Sequence, residues 1–178
     1  MKVISLLRSG LVITAALVIL IYPDTSRCQS KFRVGTYDSR AVAIAYYQSP
    51  YNSSVMKIFN DLQAKMQKAQ KEHDSVMIKK LNFEGPTRQA VLHEQGFGTG
   101  SVRYELLEIK DKIDSLAKAE KLDIILSKWE LNYSGSNCEV VDITEKIALL
   151  FNPNERIKNS LQEILKTEPI KDAYLIED

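Results

Sequence analysis

A heptad repeat between Ser53 and Leu81 constrains the fold of this chain more than any other feature. Its positions alternate at intervals of four and three residues and are Val55, Phe59, Leu62, Met66, Ala69, His73 and Val76. A spacing that averages 3.5 residues places these side chains along one face of a helix, where they pack against another helix. The pattern therefore predicts one helix of about 28 residues, about 42 Å long at 1.5 Å per residue, with a helical partner.

A second apolar seam predicts that partner. Its positions have the same four-and-three spacing and are Val102, Leu106, Ile109, Ile113 and Leu116. The returning limb would consist of residues 87–95 and 101–121, whose combined length matches that of the first helix. Two helical limbs of equal length joined by a turn form an antiparallel helical hairpin, which we therefore expect. We predict the tip near residues 82–86, because Gly85 can end one helix and Pro86 can begin the next.

Two short stretches on either side of the hairpin predict a small sheet. Residues 32–37 alternate apolar and polar side chains, and an alanine-rich helix follows and stops before Pro50. Residues 122–126 are apolar and β-branched, and residues 129–133 follow after a two-residue break, which is typical of a strand, a tight turn and a strand.

The predicted fold class is therefore α+β, a small head with a long coiled-coil-like arm inserted between strand 1 and strand 2. Asp142 and Glu145 have the spacing of a capping box, which predicts a helix start in the head. The predicted segments are a head of residues 31–50 and 122–151, an arm of residues 51–121, and a C-terminal helix and tail of residues 152–178.

The first thirty residues have the composition of a secretory signal peptide. Lys2 and Arg8 belong to a short charged start, and residues 11–22 are an apolar run. This run is shorter than the roughly 20 residues that a membrane-spanning helix needs. We expect cleavage of residues 1–30, export to the periplasm and no permanent membrane span; the alternatives are an uncleaved anchor and a lipoprotein anchored at Cys28.

Charge and cysteine content exclude several classes of function. The formal net charge is +1, and loss of residues 1–30 removes three cations and one anion, which leaves −1. Such a chain lacks the basic surface that nucleic-acid binding requires. Cleavage after Ser30 would leave Cys138 as the single thiol, which excludes an internal disulfide framework and a cysteine-rich metal site. We expect Cys138 to be buried.

Gly96, Gly98 and Gly100 stand at alternate positions directly before the second seam. A phosphate-binding glycine loop follows a strand, which holds its amides toward the anion, whereas residues 87–95 are predicted to be helical. We interpret the glycines as a break in the arm that acts as a hinge. Gly96 would end one helix in a left-handed conformation, and Ser101 would cap the next helix.

The reactive side chains predict neither an enzyme nor a metal or cofactor site. His73 occupies a seam position and is expected to pack against the partner helix. His93 and Glu94 are adjacent, so on a helix they point about 100° apart and do not chelate a metal together. The serines stand at predicted caps and turns and lack the strained elbow of a nucleophile.

Two phenylalanines of the arm are candidate contacts for a client or partner. Phe83 lies at the predicted tip and Phe97 lies between two glycines. An exposed phenylalanine is an apolar contact point for another chain. Phe97 is either exposed or tucked against the opposite helix, and we favour the tucked arrangement because exposure is costly.

The order of elements and three motifs resemble the Skp (OmpH-type) family of periplasmic chaperones. The motifs are "KLDIILSK", "LNYSGS" and "VVDIT". They match the family's apolar segment at residues 123–126, its tyrosine with small polar residues at 133–136, and its Asp-Ile-Thr helix start at 142–144. The resemblance in element order covers residues 32–151, and it identifies the chain as a divergent member.

The resemblance implies a trimer in which the heads associate through their strands and the arms enclose unfolded outer-membrane proteins. We therefore predict an exported, non-enzymatic holdase that binds unfolded or partly folded envelope proteins through the arms of an oligomer. Many weak contacts would supply the affinity. The alternative is an envelope adaptor whose hairpin docks onto one folded partner.

Overall fold

The computed structural model describes residues 31–176 and combines helices with one small sheet. The sheet has three parallel strands, β1 (Phe32–Tyr37), β2 (Ile124–Ser127) and β3 (Cys138–Asp142), in the order β2-β1-β3. The mixed α+β class predicted from the sequence is therefore confirmed. The predicted signal peptide lies outside the described residues.

A glycine at the centre of β1 allows the sheet to be covered closely. Gly35 pairs with Ile125 of β2 and Val141 of β3. A Cβ atom at Gly35 would lie 2.7 Å from the side chain of Leu122 and 2.9 Å from that of Ile143. Both contacts are closer than carbon atoms normally approach, so a larger residue here would displace the ends of these two side chains.

Most of the connection between β1 and β2 is helical. The helices are α1 (Ser39–Tyr47), α2 (Ser53–Lys71), α3 (Ser75–Gly96), α4 (Arg103–Leu107) and α5 (Lys110–Ala119), with a 3₁₀ turn at Pro50–Asn52. Asp38 begins α1 because its carboxylate accepts the amide of Arg40 at 3.0 Å. The prediction of a strand followed by a helix that stops before Pro50 is confirmed.

The prediction of one helix through residues 53–81 is wrong, because the chain reverses at residues 72–74. His73 has a φ of 56°, in the left-handed region that histidine tolerates better than most residues. The amide of Asp74 donates to the carbonyl of Ala69 at 2.9 Å, which closes the end of α2. The Asp74 carboxylate then accepts the amide of Met77 at 2.9 Å and begins α3.

The predicted tip at residues 82–86 is consequently wrong as well. Gly85 and Pro86 both lie inside α3. Proline at this position removes one intrahelical hydrogen bond, yet the helix continues, and the Thr87 hydroxyl donates to the Phe83 carbonyl at 2.7 Å. The strong cap at Asp74 sets the position of the turn, and the Gly-Pro pair does not.

The two apolar seams have different outcomes. In the first, Val55, Phe59, Leu62, Met66 and Ala69 are buried or half-buried, but the last two positions, His73 and Val76, are exposed because they lie at and after the reversal. All five positions of the second seam are buried or half-buried, but the prediction that this seam pairs with the first is wrong, because Val102 and Ile109 pack into the core of the head and α2 pairs with α3. A groove between α2 and α3 is lined by residues 59–66 of the first helix and 81–89 of the second.

The third predicted strand, at residues 129–133, is wrong. The structure continues from β2 through an irregular segment to β3 at Cys138–Asp142. β3 pairs with β1 from the side opposite β2 and runs parallel to it, with Phe32 beside Cys138 and Thr36 beside Asp142. A tight turn joins only antiparallel neighbours, so two parallel strands on opposite sides of β1 require the longer connection.

Two further helices complete the head and the C-terminal segment. α6 (Thr144–Leu149) follows β3, and α7 (Glu155–Ile164) begins where the Asn154 side chain accepts the Ile157 amide at 3.0 Å. A 3₁₀ turn at Ala173–Leu175 packs against α3. The helix predicted after Asn152, with Ile157 and Leu161 on its inner face, is confirmed.

The core is formed by the helices that cover the sheet. Phe151, Ile143, Ile147 and Val42 are almost completely buried. The rings of Tyr46 and Tyr51 contact Phe151 edge-on, each with its centroid at 5.8 Å. Within residues 31–176, none of the helices combines the length and the apolar character required to cross a membrane.

Candidate functional site

The helices α2 and α3 expose several large apolar side chains, two near the start of α2 and four on α3. The six that are large and exposed are Met56, Ile58, Val76, Met77, Phe83 and Val91. Val76 is 80% exposed and Phe83 is 75% exposed. These two residues are seven positions apart and therefore share one face of α3, whereas Leu81, which is buried, points to the other side. The outer face of α3 thus carries two large exposed apolar side chains, about two turns apart.

The two predicted contact residues do not converge. Phe83 lies in the middle of α3 rather than at a tip, and Phe97 follows the end of α3 about 21 Å away at 1.5 Å per residue. Phe97 is 42% exposed, so it is only partly tucked, and its ring centroid lies 6.1 Å from that of His93. The Phe97 carbonyl accepts the amide of Ile170 at 2.8 Å, which ties the C-terminal segment to this point.

The glycine segment is wound tightly over the end of α3. The Glu94 carbonyl accepts the amides of Gly98 at 3.1 Å and of Gly100 at 2.9 Å. A Cβ atom at Gly100 would lie 2.8 Å from the backbone nitrogen of Gln95, whereas a Cβ at Gly96 would meet nothing within 4 Å. Gly100 is therefore required for a close approach between two backbone segments.

The predicted capping of this segment is wrong. No glycine in the described part of the chain has a positive φ, and α3 continues through Gly96. The next helix begins at Arg103 without a side-chain cap. Ser101 instead offers its carbonyl to Nε2 of Gln95 at 2.7 Å. The Glu94 carbonyl accepts two amides of the loop, so the helix end is closed without a residue in the left-handed conformation.

A buried polar network connects this segment to the head. The Tyr47 hydroxyl of α1 donates to Oε1 of Gln95 and lies 3.3 Å from Oε1 of Glu105. Gln95 Nε2 donates to the same Glu105 oxygen at 3.1 Å. Burial raises the pKa of Tyr47, and the negative charge of Glu105 raises this pKa further. Bending the arm at the predicted hinge would have to disturb these bonds; the hinge remains a prediction.

A second buried polar cluster closes the carboxyl ends of the parallel strands. Asp38 and Arg40 are at most 1% exposed, and Oδ2 of Asp38 lies 2.7 Å from Nη2 of Arg40 and 2.8 Å from Nζ of Lys128. Burial would raise the pKa of Asp38, but hydrogen bonds from Arg40 and Lys128, together with their charges, hold it below its usual value. The Trp129 ring lies over both cations, 4.3 Å from Lys128 Nζ and 5.3 Å from Arg40 Cζ.

This cluster is suited to structure rather than to reaction chemistry. Both carboxylate oxygens of Asp38 are bonded to cationic groups, so the carboxylate is not available as a base or ligand. Sequence reasoning missed the cluster, because Lys128 comes ninety residues after Asp38. The only local signal was the position of Asp38 directly before a helix.

The helix start at Asp142 forms in part as predicted. Oδ1 of Asp142 accepts the amide of Thr144 at 2.8 Å and the Thr144 hydroxyl at 2.6 Å. The same hydroxyl accepts the Asp38 amide at 2.9 Å and so links the ends of β3 and β1. The side chain of Glu145 is exposed and makes no hydrogen bond within residues 31–176, so it does not complete a capping box.

The side chains considered for a metal site stay apart. His73 lies in the exposed turn between α2 and α3, His93 lies near the end of α3, and the half-buried, free Cys138 begins β3. Among residues 31–176, no group of three or more histidine, cysteine or acidic side chains is placed to hold a metal ion.

The candidate site is therefore the extended apolar surface of α2 and α3, which is joined to the head through Tyr47, Gln95 and Glu105. It is a surface of separate contact points rather than a catalytic pocket. Comparisons of the chain with protein-family models, with curated proteins and with solved structures found no match.

Proposed function

We propose that this protein is an exported, non-enzymatic holdase that resembles Skp and acts in the periplasm on unfolded or partly folded envelope proteins. The observation that carries the proposal is the series of exposed apolar side chains on α2 and α3, led by Val76 and Phe83. An unfolded chain offers apolar side chains at irregular spacing. Separate contact points along two helices can each engage one of them weakly, and their combined effect is strong.

The charges of the same helices favour reversible contact. The pairs Lys68–Glu72 and Arg88–Glu84 join residues four apart on exposed faces. Such pairs contribute only about 0.3–0.5 kcal/mol each, but they keep the surface between the apolar residues hydrated. A helix pair of this kind remains soluble without a permanent partner and still exposes apolar groups.

The two edge strands of the sheet in the head support the oligomer in the proposal. β2 and β3 are the two edges of the sheet, and each exposes an apolar side chain, Ile124 on β2 and Val140 on β3. Unpaired edges can pair with strands of another copy. A trimer, as in the Skp family, would bring three arms together. A monomeric mass in light scattering at micromolar concentration would contradict this part of the proposal.

Suppression of aggregation tests the holdase function. The purified protein should keep two unrelated unfolded proteins in solution, and the double variant Val76→Ser with Phe83→Ser should do so several-fold less well. Tyr133→Ser is the matched control, because Tyr133 is 84% exposed but lies in the loop before β3. Failure of the wild-type protein to suppress aggregation, or an equal loss in the Tyr133→Ser control, would refute the proposal.

An adaptor that docks onto one folded envelope partner is the second candidate. The observation that favours it is the alignment of Val76 and Phe83 on one face of α3, because a partner groove recognises such an aligned pair. An adaptor would ignore unfolded clients and retain a single folded protein at fixed stoichiometry. The aggregation assay and a stoichiometric pull-down therefore separate the two functions.

A further inference from the structure

A cleft of about 390 Å³ lies between the sheet and the helices α4 and α5. This volume is in the lower part of the range of about 300–1,000 Å³ for sites of small ligands. The cleft has an apolar part, which includes Leu106, Ile113 and Ile125, and a polar part that carries charged side chains. It also includes Tyr37, the last residue of β1, so it opens near the carboxyl ends of parallel strands, where ligands commonly bind in α/β sheets.

Cationic side chains lie at this cleft, and one of them is unpaired. Arg103 and Lys110 both line it. Lys110 forms an ion pair with Asp114 on the next turn of α5, whereas Arg103 is exposed and forms no hydrogen bond or ion pair within residues 31–176. A guanidinium group can bind a carboxylate through two parallel hydrogen bonds. Arg103 is thus available as an anchor for an anion beside the apolar part of the cleft.

Tyr37 supplies a hydroxyl that the protein itself does not use. The residue is only 7% exposed, yet its hydroxyl has no hydrogen-bond partner in the described part of the chain. Burial raises the pKa of Tyr37 to about 12, and the negative charges of Glu130 and Glu105 contribute to this rise. The phenol therefore remains protonated at neutral pH and can donate a hydrogen bond to a ligand oxygen.

Glu130 limits the charge that the cleft can accept. Its carboxylate lines the same cleft as Arg103 and is exposed. A ligand with one negative charge can be held by Arg103 at a modest cost of repulsion from Glu130. A phosphate ester with two negative charges would be repelled about twice as strongly, since the Coulomb energy is proportional to the charge.

We propose that this cleft binds a small monoanionic carboxylate with an apolar body, in which Arg103 and Tyr37 hold the carboxylate and Leu106, Ile113 and Ile125 contact the apolar part. Two sources share this chemistry, a fatty acid and the C-terminal residue of a peptide. The proposal does not depend on the holdase function, because none of the cleft residues is one of the exposed apolar residues of α3.

Calorimetry with a matched pair of ligands tests the proposal. N-acetylphenylalanine should bind about tenfold more tightly than its neutral amide, which corresponds to about 1.4 kcal/mol. Arg103→Gln should abolish this preference, and Glu130→Gln should strengthen binding of the carboxylate because it removes the repulsion. Arg156→Gln is the control, since Arg156 is an exposed arginine that lines a different groove, on α7; it should leave both affinities unchanged.

Several results would overturn the proposal. One is equal affinity for the acid and the amide, and another is an equal loss of affinity for the acid in Arg103→Gln and Arg156→Gln. A third is the lack of saturable binding for both N-acetylphenylalanine and octanoate. Circular dichroism should show that each variant remains folded. Tighter binding of octanoate would identify the source as a fatty acid, and tighter binding of N-acetylphenylalanine would identify it as a peptide terminus. Neither result depends on the aggregation assay.

Discussion

The head and the helix pair α2 and α3, which we call the arm from here on, treat the same kinds of side chain in opposite ways. Phe151 in the head is fully buried and meets two tyrosine rings, whereas Phe83 on α3 is 75% exposed. The head also encloses the charged groups of Asp38 and Arg40, while most ion pairs of the arm are exposed. The difference indicates that the head supplies most of the stability and that the arm leaves large apolar side chains in water.

The arm nevertheless has a defined structure at both ends. The cap at Asp74 fixes the turn, and the network of Tyr47, Gln95 and Glu105 fixes the base. Between these ends, the buried side chains are few, and they include Ala69 and Leu81. A helix pair of this kind gains little from burial along its middle, so we expect its middle to open at lower free energy than the head.

Matched phenylalanine substitutions should give the largest difference between the two regions. Phe151→Ala should reduce the free energy of unfolding by about 3–5 kcal/mol, because it leaves a cavity in the core. Phe83→Ala should change it by less than about 0.5 kcal/mol, because the side chain is mostly in water. Urea unfolding monitored by circular dichroism measures both values. Similar losses in the two variants would show that Phe83 is buried, for instance between arms of an oligomer.

Elements that are specified by neighbouring residues could be predicted from the sequence. β1 and α1 were predictable from the alternation at residues 32–37 and from Asp38 at the helix start, and α7 from Asn152 to Asn154 and its apolar face. The burial of the second seam was also predictable from the strict spacing of Val102 and Ile109, but the surface against which it packs was not, because the spacing of a seam does not specify its partner.

Features that depend on distant residues or on competing local signals were not predictable. The sequence predicted the turn at residues 82–86, and only the structure shows that the hydrogen bonds of Asp74 place it at residues 72–74. β3 pairs with β1 across more than a hundred residues of chain, so no local pattern specified its register. The cleft at Tyr37 and Arg103 was missed for the same reason, since its lining comes from four separate elements and from the loops beside them.

Alkaline pH should destabilise the head through Tyr37. Its folded-state pKa is raised to about 12, whereas an unfolded tyrosine titrates near 10, so the folded state binds the phenolic proton more tightly. The stabilisation is therefore complete below about pH 10 and is lost as the pH rises through about 12, to a total of roughly 2–3 kcal/mol. Urea unfolding at pH 8 and pH 11 measures the loss.

Tyr37→Phe is the control for this prediction, because it keeps the buried ring and removes the titrating group. The variant should match the wild-type protein at pH 8 and lose less stability at pH 11. Tyr47 in the buried network also has a raised pKa, so part of the alkaline loss should remain in the variant. An identical loss in both proteins would show that Tyr37 does not contribute.

The smallest expected effects, and the sharpest test of how the arm joins the head, come from two glycines four residues apart. Gly100→Ala should destabilise the protein by about 1–3 kcal/mol, because its Cβ would lie 2.8 Å from the backbone of Gln95, which cannot move without disturbing Tyr47 and Glu105. Gly96→Ala should instead stabilise it by about 0.4–1 kcal/mol, because its Cβ has free space and its φ is negative.

Hydrogen exchange of residues 96–101 distinguishes a rigid joint from a hinge. Slow exchange comparable to α3 in the wild-type protein and in Gly96→Ala, with faster exchange in Gly100→Ala, is expected for a rigid joint. Rapid exchange in all three proteins would mean that the segment bends freely despite its hydrogen bonds, and would support the interpretation of the glycines as a hinge.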